Sequence, residues 1–221
     1  MSFKLGRPVP RCRYIAAIAL SGLALLVSVP LAAADKPPAL TPEQTAAIDE
    51  IGNYINGFHT LQGEFTQTSP KGIVSKGVFY LSKPGKMRFE YSAPNPFIIV
   101  SDGTWVTIKN RAKDQADQYP LSQTPLRLVL DDDVNIYKEA DILDVQSGDG
   151  LVTVTLEDKK KIVPGHLILS YDEKQKALQQ WIVVDGQGRR TTVSLENVVA
   201  GVETDPKLFV IKVNRGGAKK N

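Results

Sequence analysis

Lys86-Met87-Arg88-Phe89-Glu90-Tyr91 is the stretch on which the fold turns. Three apolar side chains alternate with three charged ones, the period of a strand with one buried and one wet face. Lys83-Pro84-Gly85 is a turn ahead of it, and Ile73 to Ser82 reads as the preceding strand. A turn at Ser69-Pro70-Lys71-Gly72 separates that strand from another in which Leu61, Gly63 and Phe65 alternate with Gln62, Glu64 and Thr66. Downstream, Phe97 to Val100 and Thr104 to Ile108 flank Asp102-Gly103, a hairpin turn.

Farther out, Arg111 to Gln118 reads as a polar loop. Thr124 to Leu130 reads as a short helix capped by Thr124 with Pro125 behind it, offering Leu126, Val129 and Leu130 on one side. Strands resume near Ile142 to Gln146, Leu151 to Glu157, Leu167 to Tyr171, Leu178 to Asp185 and Arg190 to Asn197. Serial strands joined by short turns make an antiparallel meander, not βαβ units. One helix opens the domain: Thr41 is its N-cap candidate, Pro42 suits the first position, and Glu43 favours the positive end. Ile48, Ile51, Ile55 and Phe58 follow at helical spacing, and Asn56-Gly57 is a stop. The fold class is therefore mainly β: a long, curled antiparallel sheet covered by an N-terminal helix and a short inserted helix. The apolar stripes of both helices need burial, and the concave face is the place for them.

Residues 1–34 read as a cleavable signal peptide. Lys4, Arg7, Arg11 and Arg13 form a basic start, Ile15 to Val29 an apolar run, and Ala32-Ala33-Ala34 a cleavage site, so the exported chain begins at Asp35. The apolar run is short for a membrane span of about 20 residues. Cys12 precedes the run and is removed with it, leaving no thiol for a disulfide. Four of the 27 basic residues and none of the 24 acids lie in that leader, so the mature chain carries 23 bases against 24 acids, a net charge of −1. That balance gives no electrostatic case for nucleic acid. Residues 35–213 suit one domain, and residues 214–221 form a small, basic, disordered tail.

Catalytic and metal-binding patterns are missing. His59 and His166 stand alone, with no partner at ligand spacing. Gly186-Gln187-Gly188 has Thr191 where a nucleotide loop needs its third glycine. Asp131, Asp133 and Asn135 begin like a calcium loop, but Ile136 and Ile142 replace its glycine and its bidentate Glu, so the run reads as a solvated loop. Lys159-Lys160-Lys161 and Arg189-Arg190 fall at turns and read as solvated edges, with a membrane-surface or acidic-partner contact as the alternative.

Phe58-x-x-Leu61-x-Gly63-x-Phe65-Thr66-Gln67 and Gly77-x-Phe79-x-Leu81-x-Lys83-Pro84 resemble motifs of the LolA family of periplasmic outer-membrane lipoprotein carriers. So do Met87 to Tyr91, Val100-Ser101-Asp102-Gly103 and Asp205-Pro206-x-x-Phe209, all in order across residues 40–213. The resemblance implies an unclosed β-barrel in the periplasm whose helix-covered apolar interior holds acyl chains, with no catalysis, cofactor or metal. It implies acylated lipoproteins as cargo, an inner-membrane lipoprotein-releasing ABC transporter as donor, an outer-membrane acceptor lipoprotein where one exists, no nucleic acid, and a monomer. Lys83 stands where the family commonly has an arginine that holds the lid, and a lysine offers a point charge in place of a planar fork. Met87 matches a position near the cavity mouth that is usually aromatic. Phe65, Phe79, Met87, Phe89 and Trp105 are the candidates for the lipid cavity, although period two does not say which face is concave.

Three rivals remain at this level. A LolA-like lipid or glycolipid carrier or sensor would share fold and pocket. An outer-membrane barrel would want strands of about 10 residues with aromatic girdles, and an enzyme would want a site.

Overall fold

The computed structural model describes residues 39–162 and 164–212. The signal peptide 1–34, Cys12, the start at Asp35 and the tail 214–221 lie outside the described residues. Helix α1 spans Pro42–Asn56. The Thr41 side chain accepts from the Gln44 N–H at 3.2 Å, and Gln44 Oε1 accepts from the Thr41 N–H at 3.0 Å. This reciprocal box satisfies two groups that the helix itself cannot. Ile48, Ile51 and Ile55 are buried along one stripe, and Gly57 closes the helix by donating to the Tyr54 carbonyl.

Eleven strands follow: β1 Thr60–Thr68, β2 Val74–Ser82, β3 Lys86–Tyr91, β4 Phe97–Asp102, β5 Trp105–Asn110, β6 Gln115–Pro120, β7 Ala140–Gly148, β8 Leu151–Asp158, β9 Gly165–Asp172, β10 Ala177–Asp185 and β11 Arg190–Ala200. They form one sheet in the order β6-β5-β4-β3-β2-β1-β11-β10-β9-β8-β7, with every pair antiparallel. The chain walks outward from β1 to β6, crosses to the opposite edge, and walks back from β7 to β11, which pairs with β1. The edges β6 and β7 do not pair, so the barrel is unclosed.

Ring contacts give the curl. Phe89 on β3 and Trp181 on β10 have centroids 5.9 Å apart. Four strand spacings separate them in the sheet, about 19 Å if it were flat. The bend is helped by register shifts between Gln62 and Glu64 on β1 and between Leu178 and Gln180 on β10. At the first of these Gly63 lies so close to β11 that a Cβ would stand 2.8 Å from the Glu196 carbonyl oxygen.

The curl also settles which face is concave. Met87, Phe89 and Tyr91 join the core. Arg88 and Glu90 lie on the outside, where both Arg88 and Arg111 bind the Glu90 carboxylate, and Arg88 Nη1 donates to the Leu208 carbonyl. The short 3-10 helix Pro206–Phe209, capped by Asp205, packs there against β3 and β4 with Phe209 buried.

The crossing from β6 to β7 departs from expectation. Gln115 to Gln118, expected at the end of a polar loop, belong instead to the edge strand β6, held by backbone pairing to β5 while most of its side chains face water. Such a strand has no buried face to impose alternation. The short helix expected over 124–130 is present but begins later, as α2 Arg127–Leu130, with a 3-10 turn Leu121–Gln123 before it and a further helix α3 Ile136–Glu139 after it. Thr124 is extended, as the residue before a proline tends to be, and its hydroxyl donates back to the Leu121 carbonyl instead of capping α2. Helix α3 is capped by Asn135, which accepts from the Lys138 N–H; Asp131, Asp132 and Asp133 are exposed as expected.

Candidate functional site

The two halves of the concave face are covered differently. Helix α1 packs on β7 and β10, with Gln44 Nε2 donating to the Val145 carbonyl at 3.1 Å and the Tyr54 ring edge-on to Tyr171. Over β3–β6 the cover is only the inserted segment, and beneath it lies an apolar cavity of about 400 Å³. Met87, Phe89 and Tyr91 of β3 form one wall, Ile99, Val106 and Ile108 continue it over β4 and β5, and Trp181, Val183 and Val193 face them from β10 and β11. Gln123, Thr124, Pro125 and Leu126 make the roof. Tyr119 on the edge strand lines it too and is half exposed, which marks an opening at the β6 edge.

Of the side chains chosen from sequence, Met87 and Phe89 line this cavity. Met87 shares a cross-strand row with Ser101, Val106 and Tyr119, three strands in from the opening. Phe65 and Phe79 are fully buried beneath the wall, with rings 4.9 Å and 5.7 Å from that of Phe89. They support the lining without forming it. Trp105 does not belong to the group: it is 44% exposed. On β5 the residues lining the cavity are Val106 and Ile108, so by parity Trp105 faces outward.

Sequence reasoning missed the opposite wall. Leu178 and Trp181 are both buried although three residues apart, because the register shift between Leu178 and Gln180 reverses the phase of β10. Strict alternation from Leu178 would have put Trp181 in water.

A second depression of about 640 Å³ lies between the β2–β3 turn, the β4–β5 turn and α2. Lys86, Asp102, Arg127, Asp131 and Lys160 line it, which suits it poorly to hydrocarbon.

Lys83 is buried, and its Nζ donates to the Ile55 carbonyl at 2.7 Å while standing 4.9 Å from the Phe58 ring centroid. Ile55 is in the last turn of α1, where carbonyls have no partner within the helix. Burial holds the ammonium below the usual lysine range, and the charges of Asp132, Asp131 and Asp133 pull it partly back. Next to it, the Gly85 N–H donates to the Leu130 carbonyl at 2.8 Å, tying the β2–β3 turn to α2. Arg127 then pins α2 to the far half of the sheet, bridging Glu139 at 3.1 Å and Asp158. Burial pushes the Asp158 carboxyl up, but the Lys160 N–H, Arg127 and the Ile162 N–H outweigh it, and it titrates below the usual carboxylate range. Between the anchors, among the described residues, 122–126 hydrogen-bond only within the inserted segment, and Leu126 packs on the core.

The family model and the curated relatives that match the chain are outer-membrane lipoprotein carriers. The model of "Outer membrane lipoprotein carrier protein LolA" matches residues 56–212. An outer-membrane lipoprotein carrier protein of Pseudomonas aeruginosa PAO1 is 27% identical over 185 residues, covering 79% of this chain and 87% of that one. Its counterpart in Methylococcus capsulatus is 28% identical over 175 residues, covering 75% and 83%. Among solved structures, a LolA superfamily protein from Nitrosomonas europaea superposes with a TM-score of 0.45 at 10% identity, covering 78% of this chain and 99% of that one.

Proposed function

Because the chain belongs to the LolA family of periplasmic, non-catalytic lipoprotein carriers, we propose that it holds the acyl part of a lipoprotein in the cavity between β3–β6 and β10–β11. The observation that carries this reading is the pairing of an aromatic-floored apolar cavity with a roof segment that, among the described residues, makes no hydrogen bond to the sheet between its anchors.

Size bears on how the cargo fits. An engineered cavity of about 150 Å³ holds one benzene of six carbons. By that ratio, about 400 Å³ takes roughly sixteen carbons, one acyl chain of ordinary length. At about 0.8 kcal/mol per buried methylene such a chain is worth roughly 13 kcal/mol against water, enough to keep it from leaving unaided. A cargo with further chains requires residues 122–126 to swing away from the sheet. The Gly85–Leu130 and Arg127 contacts hold α2 in place as they do so. In this scheme cargo comes from an inner-membrane ABC transporter and goes to an outer-membrane acceptor, and the exported chain begins at Asp35 after its signal is cleaved.

The test is to purify the mature protein from the periplasm, identify what travels with it by mass spectrometry, and measure release of lipoproteins from spheroplasts. Co-purifying triacylated lipoproteins and active release are expected. A defined glycolipid in their place, with no release, would overturn the assignment of cargo.

A further inference from the structure

A hydrogen-bonded polar pair lies on the largely apolar inner face, whose cavity lining also includes Thr191 of β11. Gln67 follows Phe65 at period two on β1, lines the cavity, and is paired in register with Val193 of β11, also a lining residue. Tyr91, buried on β3, donates its hydroxyl to Gln67 Oε1 at 2.8 Å. The two residues sit on strands separated by β2, and the position between them is Gly77, which pairs with Tyr91 on one side and Phe65 on the other. A Cβ at Gly77 would stand 2.7 Å from the Phe65 ring and 2.1 Å from the Glu90 carbonyl oxygen. The missing side chain leaves the path over which Tyr91 reaches Gln67. Burial pushes the Tyr91 phenol up to about 12, so its hydroxyl keeps its proton at neutral pH, and it donates that proton to the Gln67 carbonyl oxygen.

That arrangement fixes what Gln67 has left to offer. A primary amide has one oxygen acceptor and two N–H donors. Its oxygen is occupied, and among the described residues no hydrogen bond uses its NH₂ group. Beside bound hydrocarbon such donors would be costly unless the ligand itself supplied an acceptor, and a leucine would fill the same place without that cost. Resting on the lipid-carrier reading above, we infer that Gln67 is a specificity-determining residue whose NH₂ group binds the carbonyl oxygen of an acyl group, and that Tyr91 positions it. The cavity then distinguishes an acyl chain from bare or ether-linked hydrocarbon, and orients it. Gln67 is the next-to-last residue of β1, so the carbonyl lies at the end of the cavity nearest the β1–β2 turn while the methylenes run along β3 toward Met87. Gln67 is level with Ser75 on β2 and Met87 with Leu81, so six residues of strand, about 20 Å, separate those two levels.

The test uses the mature protein purified from the periplasm and stripped of lipid, with displacement of an apolar fluorescent dye as readout. Three ligands of equal chain length are compared: palmitoyl glycerol (an ester), N-palmitoyl ethanolamine (an amide) and hexadecyl glycerol (an ether). The wild-type protein should bind the ester, the amide or both roughly five-fold more tightly than the ether, the factor expected of one net hydrogen bond. Which of the two is preferred distinguishes a glycerol ester from an N-acyl amide as the group recognised. Gln67→Leu should erase the preference while keeping the ether's affinity. Gln67→Glu, which keeps an acceptor for Tyr91 but replaces the donor by oxygen, should erase it as well, and guards against a Leu variant that is merely unstable. Tyr91→Phe should reduce it. Equal binding of all three ligands by the wild-type protein would overturn the inference while leaving the carrier reading intact. Failure of every ligand to displace the dye would instead remove the carrier reading and this one together.

Discussion

The half of the concave face under α1 and the half under the inserted segment have the same strand chemistry and opposite interiors. Both present apolar residues at period two: Val152, Val154 and Leu156 on β8, Met87, Phe89 and Tyr91 on β3. Over the first lies a helix of 15 residues, about 22 Å long, which lowers Ile48, Ile51 and Ile55 into the core. Over the second lie helical pieces of three and four residues, too short to carry a continuous stripe. One half is filled and the other is left hollow. What a strand pattern encodes is thus an apolar surface, and the length of the covering element decides whether it becomes core or cavity.

The largest effect that separates the halves should come from a buried carboxylate. Ile51→Glu puts an unpaired charge among close-packed side chains, and a loss of about 3–5 kcal/mol should leave little folded protein. Met87→Glu places the same group on the wall of a cavity that opens at the β6 edge, so a cost of roughly 1–3 kcal/mol is expected, with a folded protein that fails to release lipoproteins from spheroplasts. Thermal unfolding of the pair decides it; equal losses would mean that the halves do not differ, and an active Met87→Glu would take β3 out of the site.

A smaller effect is expected at the joint between the halves. Lys83→Leu removes the bond to the Ile55 carbonyl, a charged hydrogen bond worth about 1.5–3 kcal/mol. The empty protein should then bind an environment-sensitive apolar dye more strongly, because the cover opens more often. Unchanged dye binding and unchanged lipoprotein release would leave Lys83 as a turn residue.

The smallest effect concerns the anchor on the filled side. Asp158 is held below its ordinary value of 3.8. A carboxylate whose pKa is depressed on folding stabilises the protein fully above the unfolded value, and loses that contribution as pH falls through the folded one. The stability gap between wild type and Asp158→Asn should therefore be constant near neutrality and shrink only below about pH 4. A gap that already shrinks between pH 7 and 5 would show that Asp158 is not the group being protonated.

Much of this was legible in the residues. Alternation in 86–91, the turn at Asp102-Gly103 and the Thr41-Pro42 start each act through neighbours within a few positions, and each is where the sequence puts it. Features that depend on distant strands were not legible. Parity placed Trp105 on a strand correctly but could not show that Val106 shares the face of Met87. The phase change at Leu178 and Gln180 is a property of pairing with β9. Strand β6 exists because β5 offers it an edge, and Gln67 becomes conspicuous only once Tyr91 is known to reach it across β2.

The central claim is that acyl chains occupy the hollow half. It is tested most directly by loading the mature protein with a lipoprotein whose acyl chains carry a photoactivatable diazirine, irradiating the complex, and locating the cross-links by mass spectrometry. Adducts on Met87, Phe89, Trp181 and Val193, absent from Ile48 and Ile51 of α1, are the expected result. Adducts confined to the outer face near Trp105, or to the charged depression around Lys86 and Lys160, would contradict it.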